Sequence, residues 1–123
     1  MRTRIITLGA AIMSAAAIAI AGPVPAQAAS LWGAIAVDDD GTAWPTANHP
    51  SAEAAEADAQ AYCGNRRGCD VIVTFNDGCG AVAWNDSRWH GGHGRTLGEA
   101  EDSALQLNGG GAIQAWVCTD GHG

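Results

Sequence analysis

The sequence predicts an α+β domain built from two pseudo-symmetric strand-strand-helix-strand repeats and held by disulfides. Three observations lead there. Trp32-Gly33-Ala34-Ile35-Ala36-Val37 is matched 47 residues later by Cys79-Gly80-Ala81-Val82-Ala83-Trp84, and Ser51 to Cys63 is matched 45 residues later by Thr96 to Asn108. Within that second match, apolar residues fall at 52, 55, 59 and 62 and again at 97, 100, 104 and 107. This 3-4-3 spacing marks one face of a helix. Third, Val71 to Phe75 is matched by Ile113 to Val117, so three segments agree in the same order.

The first repeat covers about residues 31–76. Its opening strand is about Trp32 to Val37, and Asp38-Asp39-Asp40-Gly41-Thr42 makes the turn. Gly there can adopt positive φ. A short return strand near Ala43 and Trp44 is expected to stop at Pro45, with a polar loop running on to Pro50. Ser51 caps a helix that ends near Cys63, and Glu53 sits at the positive end of its dipole. The closing strand is about Asp70 to Phe75.

The second repeat covers about residues 78–118. Cys79 to Trp84 reads as a strand, Asn85-Asp86-Ser87 as a turn, and Arg88 to His90 as a short return. Gly91-Gly92-His93-Gly94 reads as a loop. Thr96 and Glu99 form a capping box for the second helix. Gly109-Gly110-Gly111 ends it before a last strand from Ala112 to Cys118. Alanines on the helix faces allow close approach to a sheet, and tryptophans supply volume.

The 123 residues suit one domain. Arg2 and Arg4, the uncharged apolar run from Ile5 to Ala21, and Ala26-Gln27-Ala28 read as a secretory signal peptide over residues 1–28. Residues 29–123 are then a single secreted domain, extracellular or in the cell envelope. The apolar run is at the lower limit for a membrane span, and the cleavage site argues against a retained anchor. With four arginines, no lysine and thirteen carboxylates, the processed chain would carry a formal charge of −9. Net charge this acidic gives no attraction to nucleic acid or an anionic membrane. No second long apolar run follows, so no membrane insertion is expected after processing.

Cys63, Cys69, Cys79 and Cys118 are an even set in an exported chain, which argues for two disulfides. Cys63 aligns with Asn108 and Cys69 with about Gly111, so the second repeat lacks both together. Cys79 aligns with Trp32 and Cys118 with Asn76, so the first repeat lacks both together. Residues absent as pairs are expected to bond as pairs, Cys63 with Cys69 and Cys79 with Cys118. A four-cysteine zinc site would want a close Cys-x-x-Cys knuckle, and none is present.

The ordered pattern formed by Trp32-Gly33-Ala34-Ile35-Ala36, an alanine-glutamate helix ending in Cys63, Cys69-x-Val71-Ile72-Val73, Cys79-Gly80-Ala81-Val82-Ala83 and Ala115-Trp116-Val117-Cys118 resembles the domain of unknown function 4189 family. Gly91-Gly92-x-Gly94-x-Thr96, Ala100-Glu101-Asp102 and Gly109-Gly110-x-x-Ile113 look like its exported mycobacterial and related actinobacterial members. The resemblance spans nearly all of residues 32–118. It implies a small secreted α+β domain and transfers no catalytic residue. Many members carry another cysteine pair near the second helix end, where this chain has Asn108 and Gly111.

Candidate sites are few. His90 and His93 could place two imidazoles on one loop, with Asp86 or His122 as a further ligand, but a solvated glycine loop explains them as well. Asp38-Asp39-Asp40-Gly41 has calcium-loop composition, yet His49 stands where a bidentate glutamate belongs. Ser51 is a helix cap, Ser103 lies on a helix face, Ser87 is in a turn, and no G-x-S-x-G elbow exists. Glu56, Glu99 and Glu101 could act as a carboxylate pair only if two were buried together. No catalytic residue, metal site or cofactor is therefore assigned.

Arg88, Trp89, His90 and Trp44 are the candidate binding residues, because Trp and Arg are enriched at interfaces. Exposed rings there would recognise a protein or glycan partner; buried rings would simply be core. The expected function is a non-enzymatic, secreted protein-binding or effector-type module. The alternatives are a small envelope-acting hydrolase with a carboxylate site and a structural envelope protein. The oligomeric state is open, a homodimer included.

Overall fold

The computed structural model describes residues 30–123. The expected signal segment, residues 1–28, lies outside the described residues. Eight elements follow in the order β1 (Trp32–Val37), β2 (Ala43–His49), α1 (Ala52–Cys63), β3 (Asp70–Asn76), β4 (Cys79–Trp84), β5 (Trp89–Gly94), α2 (Leu97–Leu107) and β6 (Ala112–Cys118). They form two antiparallel three-stranded sheets, β2-β1-β3 and β5-β4-β6. Each sheet has its own helix, so the chain is two strand-strand-helix-strand units in an α+β domain.

Alternation along the central strands builds the layers. Ala34 and Ala36 of β1 face Ala55, Ala59 and Cys63 of α1. Ala81 and Ala83 of β4 face Ala100 and Ala104 of α2. The intervening residues Ile35, Val37 and Val82 meet between the sheets with Val73. Successive strand side chains point to opposite faces, so one alternating hexamer serves both a helix and the inter-sheet core. The resulting order is helix, sheet, sheet, helix.

The two units differ where they share volume. Phe75 of β3 fills space against both Gly33 and Gly80, whose added Cβ atoms would lie 2.4 and 2.5 Å from its ring. One large ring thus occupies the room left by two glycines at equivalent strand positions. Each outer strand that follows a helix also bulges once, at Ile72 opposite Ile35/Ala36 and at Gln114 opposite Val82/Ala83. The second bulge sets Gln114 out at the surface.

Helix ends follow the sequence. Ser51 accepts from the Ala54 N–H at 3.1 Å and Thr96 from the Glu99 N–H at 3.2 Å. The Glu99 carboxylate reaches the Arg95 N–H rather than that of Thr96, one residue beyond the usual box. At the far end of α2, Gly109 has φ 72° and the Gly110 N–H donates to Leu105 C=O at 2.7 Å. This is a Schellman stop, for which a left-handed residue is required. Disulfides join Cys63 to Cys69 and Cys79 to Cys118, the pairing expected from the paired absences. The second links directly paired residues of β4 and β6.

Two expectations for local structure need correction. β2 does not stop at Pro45 but continues to His49. As an edge strand with a sheet neighbour on one side only, it tolerates a residue without an N–H. Gly91-Gly92-His93-Gly94 is not a loop but most of β5. Its glycines are packing positions. A Cβ on Gly91 would lie 2.6 Å from Val73 Cβ, and one on Gly92 would lie 2.2 Å from Ala104 N and 2.7 Å from Ala100 O. In the first unit the position equivalent to Gly92 is Thr46, whose buried hydroxyl donates to Ala55 C=O at 3.2 Å. One unit inserts a hydroxyl between strand and helix; the other brings the helix backbone onto the strand.

Candidate binding site

The hairpin tips of both units meet at one end of the inter-sheet face. In the first, Asp38 is buried and its Oδ1 accepts from the N–H groups of Asp40 and Thr42 at 2.9 and 3.0 Å. That carboxylate shapes the turn, which gives Asp38 a structural role. In the second, Asn85 Oδ1 accepts from the N–H groups of Ser87 and Arg88 at 3.1 Å each. Both turns are therefore Asx-stabilised. Asn85 also donates from Nδ2 to the carbonyl of buried Asn108, tying this turn to the end of α2.

Trp84 and Trp89 face each other across the base of the second hairpin, with ring centroids 4.8 Å apart and planes tilted by 39°. Both are partly buried. Trp89 packs on the Ile35, Val37, Val73 and Val82 cluster, while its outer edge approaches Gly41 of the first hairpin. A cleft of about 310 Å³ opens here, lined by Asp39, Asp40, Gly41, Trp84, Trp89 and Gln114. It adjoins a second depression of about 530 Å³, which shares Trp84 and Gln114 and adds Asn85, Asp86 and the Gly109–Ala112 region. The volumes fall within the range of small-ligand pockets.

The four candidate binding residues are not one patch. Only Trp89 lines the cleft. Trp44 pairs with Ala36 and so lies on the opposite, helix-facing side of its sheet, where it packs against the α1 core. There the Arg66 guanidinium covers its ring at 5.2 Å and approaches Asp38 Oδ2 at 3.7 Å. The counterpart of Trp44 in the second unit is His90, which pairs with Ala83. Arg88 is exposed in the hairpin turn and does not line the cleft.

The histidines are likewise separated. His90 and His93 sit three residues apart on one strand and so project from opposite faces. His122 Nδ1 lies 2.9 Å from the Arg95 carbonyl. Among the described residues, no three His, Cys, Asp or Glu side chains gather as a metal site would require. None of the three candidate carboxylates, Glu56, Glu99 and Glu101, is buried, and two have structural partners: Glu56 accepts from the Thr74 hydroxyl at 2.8 Å and Glu99 caps α2. Among the described residues, Asp38 is the one buried carboxylate, and it is committed to the turn.

The cleft was not legible as a unit in the sequence. It joins residues near 40, 85 and 112, and the bulge that presents Gln114 has no sequence signature. The glycines of β5 did carry a signal, since Gly inside a strand often marks close backbone approach.

Comparison with known proteins agrees with the fold. Protein Rv1269c of Mycobacterium tuberculosis is 43% identical over 93 residues, covering 76% of this chain and 73% of that protein. Uncharacterized protein Rv1813c of the same species is 38% identical over 87 residues, covering 71% of this chain and 59% of its own length. The NMR structure of Rv1813c superposes with a TM-score of 0.56 at 28% identity, covering 91% of this chain and 98% of the solved one. The family model described as Domain of unknown function (DUF4189) matches residues 32–118, and the chain belongs to that family.

Proposed function

We propose that the protein is a secreted, non-enzymatic binding module that takes its partner at the cleft between the two hairpin tips. The observation that carries this reading is the pair of partly buried indoles, Trp84 and Trp89, at the base of an open cleft rimmed by Asp39, Asp40 and Gln114. Aromatic faces beside a few polar groups are the usual make-up of a recognition site. Both disulfides fit an oxidising, extracytoplasmic compartment. The charged start, apolar run and Ala26-Gln27-Ala28 support export. Among the described residues, no helix is long and apolar enough to cross a membrane.

The test is affinity capture from the culture medium and cell surface with the oxidised protein, in parallel with Gln114→Arg. The substitution places a bulky side chain at an exposed position shared by both depressions. A partner retained by the original protein and lost by the variant is the expected result. A partner retained equally by both would place binding elsewhere. Intact mass of the secreted material should also show an N-terminus at Ala29; recovery only as the full-length, membrane-bound chain would contradict export.

A further inference from the structure

We infer that the cleft recognises a cationic side chain, an arginine above all, presented by a basic peptide segment of the partner. This rests on the binding reading above and names its ligand class. The cleft and its adjoining depression bring Asp39, Asp40 and Asp86 around Trp84 and Trp89. All three carboxylates are exposed. Among the described residues, the ion pairs are His49 with Asp58 and Arg66 with Asp38, so none of the three has a counter-charge. Asp39 folds over Gly68, where an added Cβ would collide with its carboxylate. Neither the Asp40 nor the Asp86 side chain makes a hydrogen bond among the described residues. Indole faces with uncompensated carboxylates beside them are complementary to a guanidinium or ammonium group.

The molecule already contains this chemistry once. Arg66 lies over the Trp44 ring at 5.2 Å with Asp38 Oδ2 at 3.7 Å. There the indole, the carboxylate and the cation all belong to the chain. At the cleft the chain supplies indoles and carboxylates but no cation: no arginine lines either depression. Arg88, in the same turn as Asp86, forms no ion pair among the described residues. Charge decides among occupants. An exported chain with thirteen carboxylates against four arginines repels an anionic ligand and a second copy of itself at this surface. A neutral glycan would stack on the indoles yet leave the carboxylates uncompensated.

The probe is an acetylated, amidated pentapeptide carrying two arginines, titrated into the oxidised protein while the indole N–H resonances are followed by NMR. The controls are the same peptide with citrulline for arginine and a neutral N-acetylglucosamine trisaccharide. The arginine peptide should move the Trp84 and Trp89 indole signals and leave that of Trp44 in place. Citrulline should abolish the effect, and added salt should weaken it. Asp40→Asn combined with Asp86→Asn should weaken binding by about tenfold or more, with an unchanged melting temperature. Asn suits position 86, where φ is 74°. Equal shifts with citrulline, undiminished binding by the double variant, no response to the arginine peptide, or indole shifts only with the trisaccharide would each overturn the cationic assignment. In any of those cases, a captured partner still lost on Gln114→Arg would leave the binding module standing with a different ligand class.

Discussion

A methyl group added at Gly92 would meet the backbone of α2, not a side chain that can swing away. Overpacking usually costs about 1 to 3 kcal/mol, and contact with a fixed helix backbone belongs at or above the top of that range. Gly92→Ala should therefore lower the denaturation midpoint sharply, whereas Gly98→Ala, with open space around it, should not. Equal midpoints for the two variants would show that α2 does not sit on β5 as described. Trp89 gives a graded case, because one side packs on the inter-sheet cluster and the other lines the cleft. Trp89→Ala should cost about 3 kcal/mol of stability, near the lower end for a buried tryptophan. Arg88→Ala, at an exposed turn position, should change stability by no more than about 0.5 kcal/mol. Urea denaturation of the two variants measures both, and a Trp89→Ala midpoint matching that of the parent would mean the ring is a surface contact alone.

At the scale of elements, the two disulfides close loops of very different length, with sequence separations of 6 and 39. Chain-entropy reasoning assigns about 2 kcal/mol to the short one and about 4 kcal/mol to the long one. Replacing Cys79 and Cys118 together by alanine should thus destabilise more than replacing Cys63 and Cys69, as read from thermal unfolding of the two double variants. The reverse order would show that the short loop, which carries Arg66 to Trp44 and the Arg67 carbonyl to the Asp39 N–H, matters more than its entropy. These elements also show what the sequence could and could not reveal. Both helices and both central strands were legible because their faces are periodic and their caps are local. β2 and β5 look shorter in the sequence than they are because Pro45 and the glycine run resemble strand breakers. Each is permitted by tertiary context: an edge position for Pro45, a helix in backbone contact for Gly92. Once β5 is a strand, the His90 and His93 metal pair is ruled out by geometry, since residues three apart cannot share a face.

For the whole molecule, the symmetry of the two units places their hairpin tips at one end, and the departures from symmetry make the site. The turn of the first unit brings Asp39 and Asp40; the second brings the Trp84 and Trp89 pair where the first has Val37 and Ala43. No single segment holds the cleft, so local sequence marks Arg88, Trp89, His90 and Trp44 instead, of which only Trp89 lines it. The most direct test of the binding account is hydrogen exchange of the oxidised protein with and without its captured partner. The amides of residues 39–41, Asn85, Gly109 and Gly110 are hydrogen-bonded within surface turns. Such turns open locally at low cost, so further slowing of their exchange by a bound partner is readily measured. The account predicts new protection at residues 39–41, 84–86 and 109–114. Protection confined instead to the surfaces around Tyr62, Leu107 or Trp116, the exposed large apolar residues outside the cleft, would contradict it.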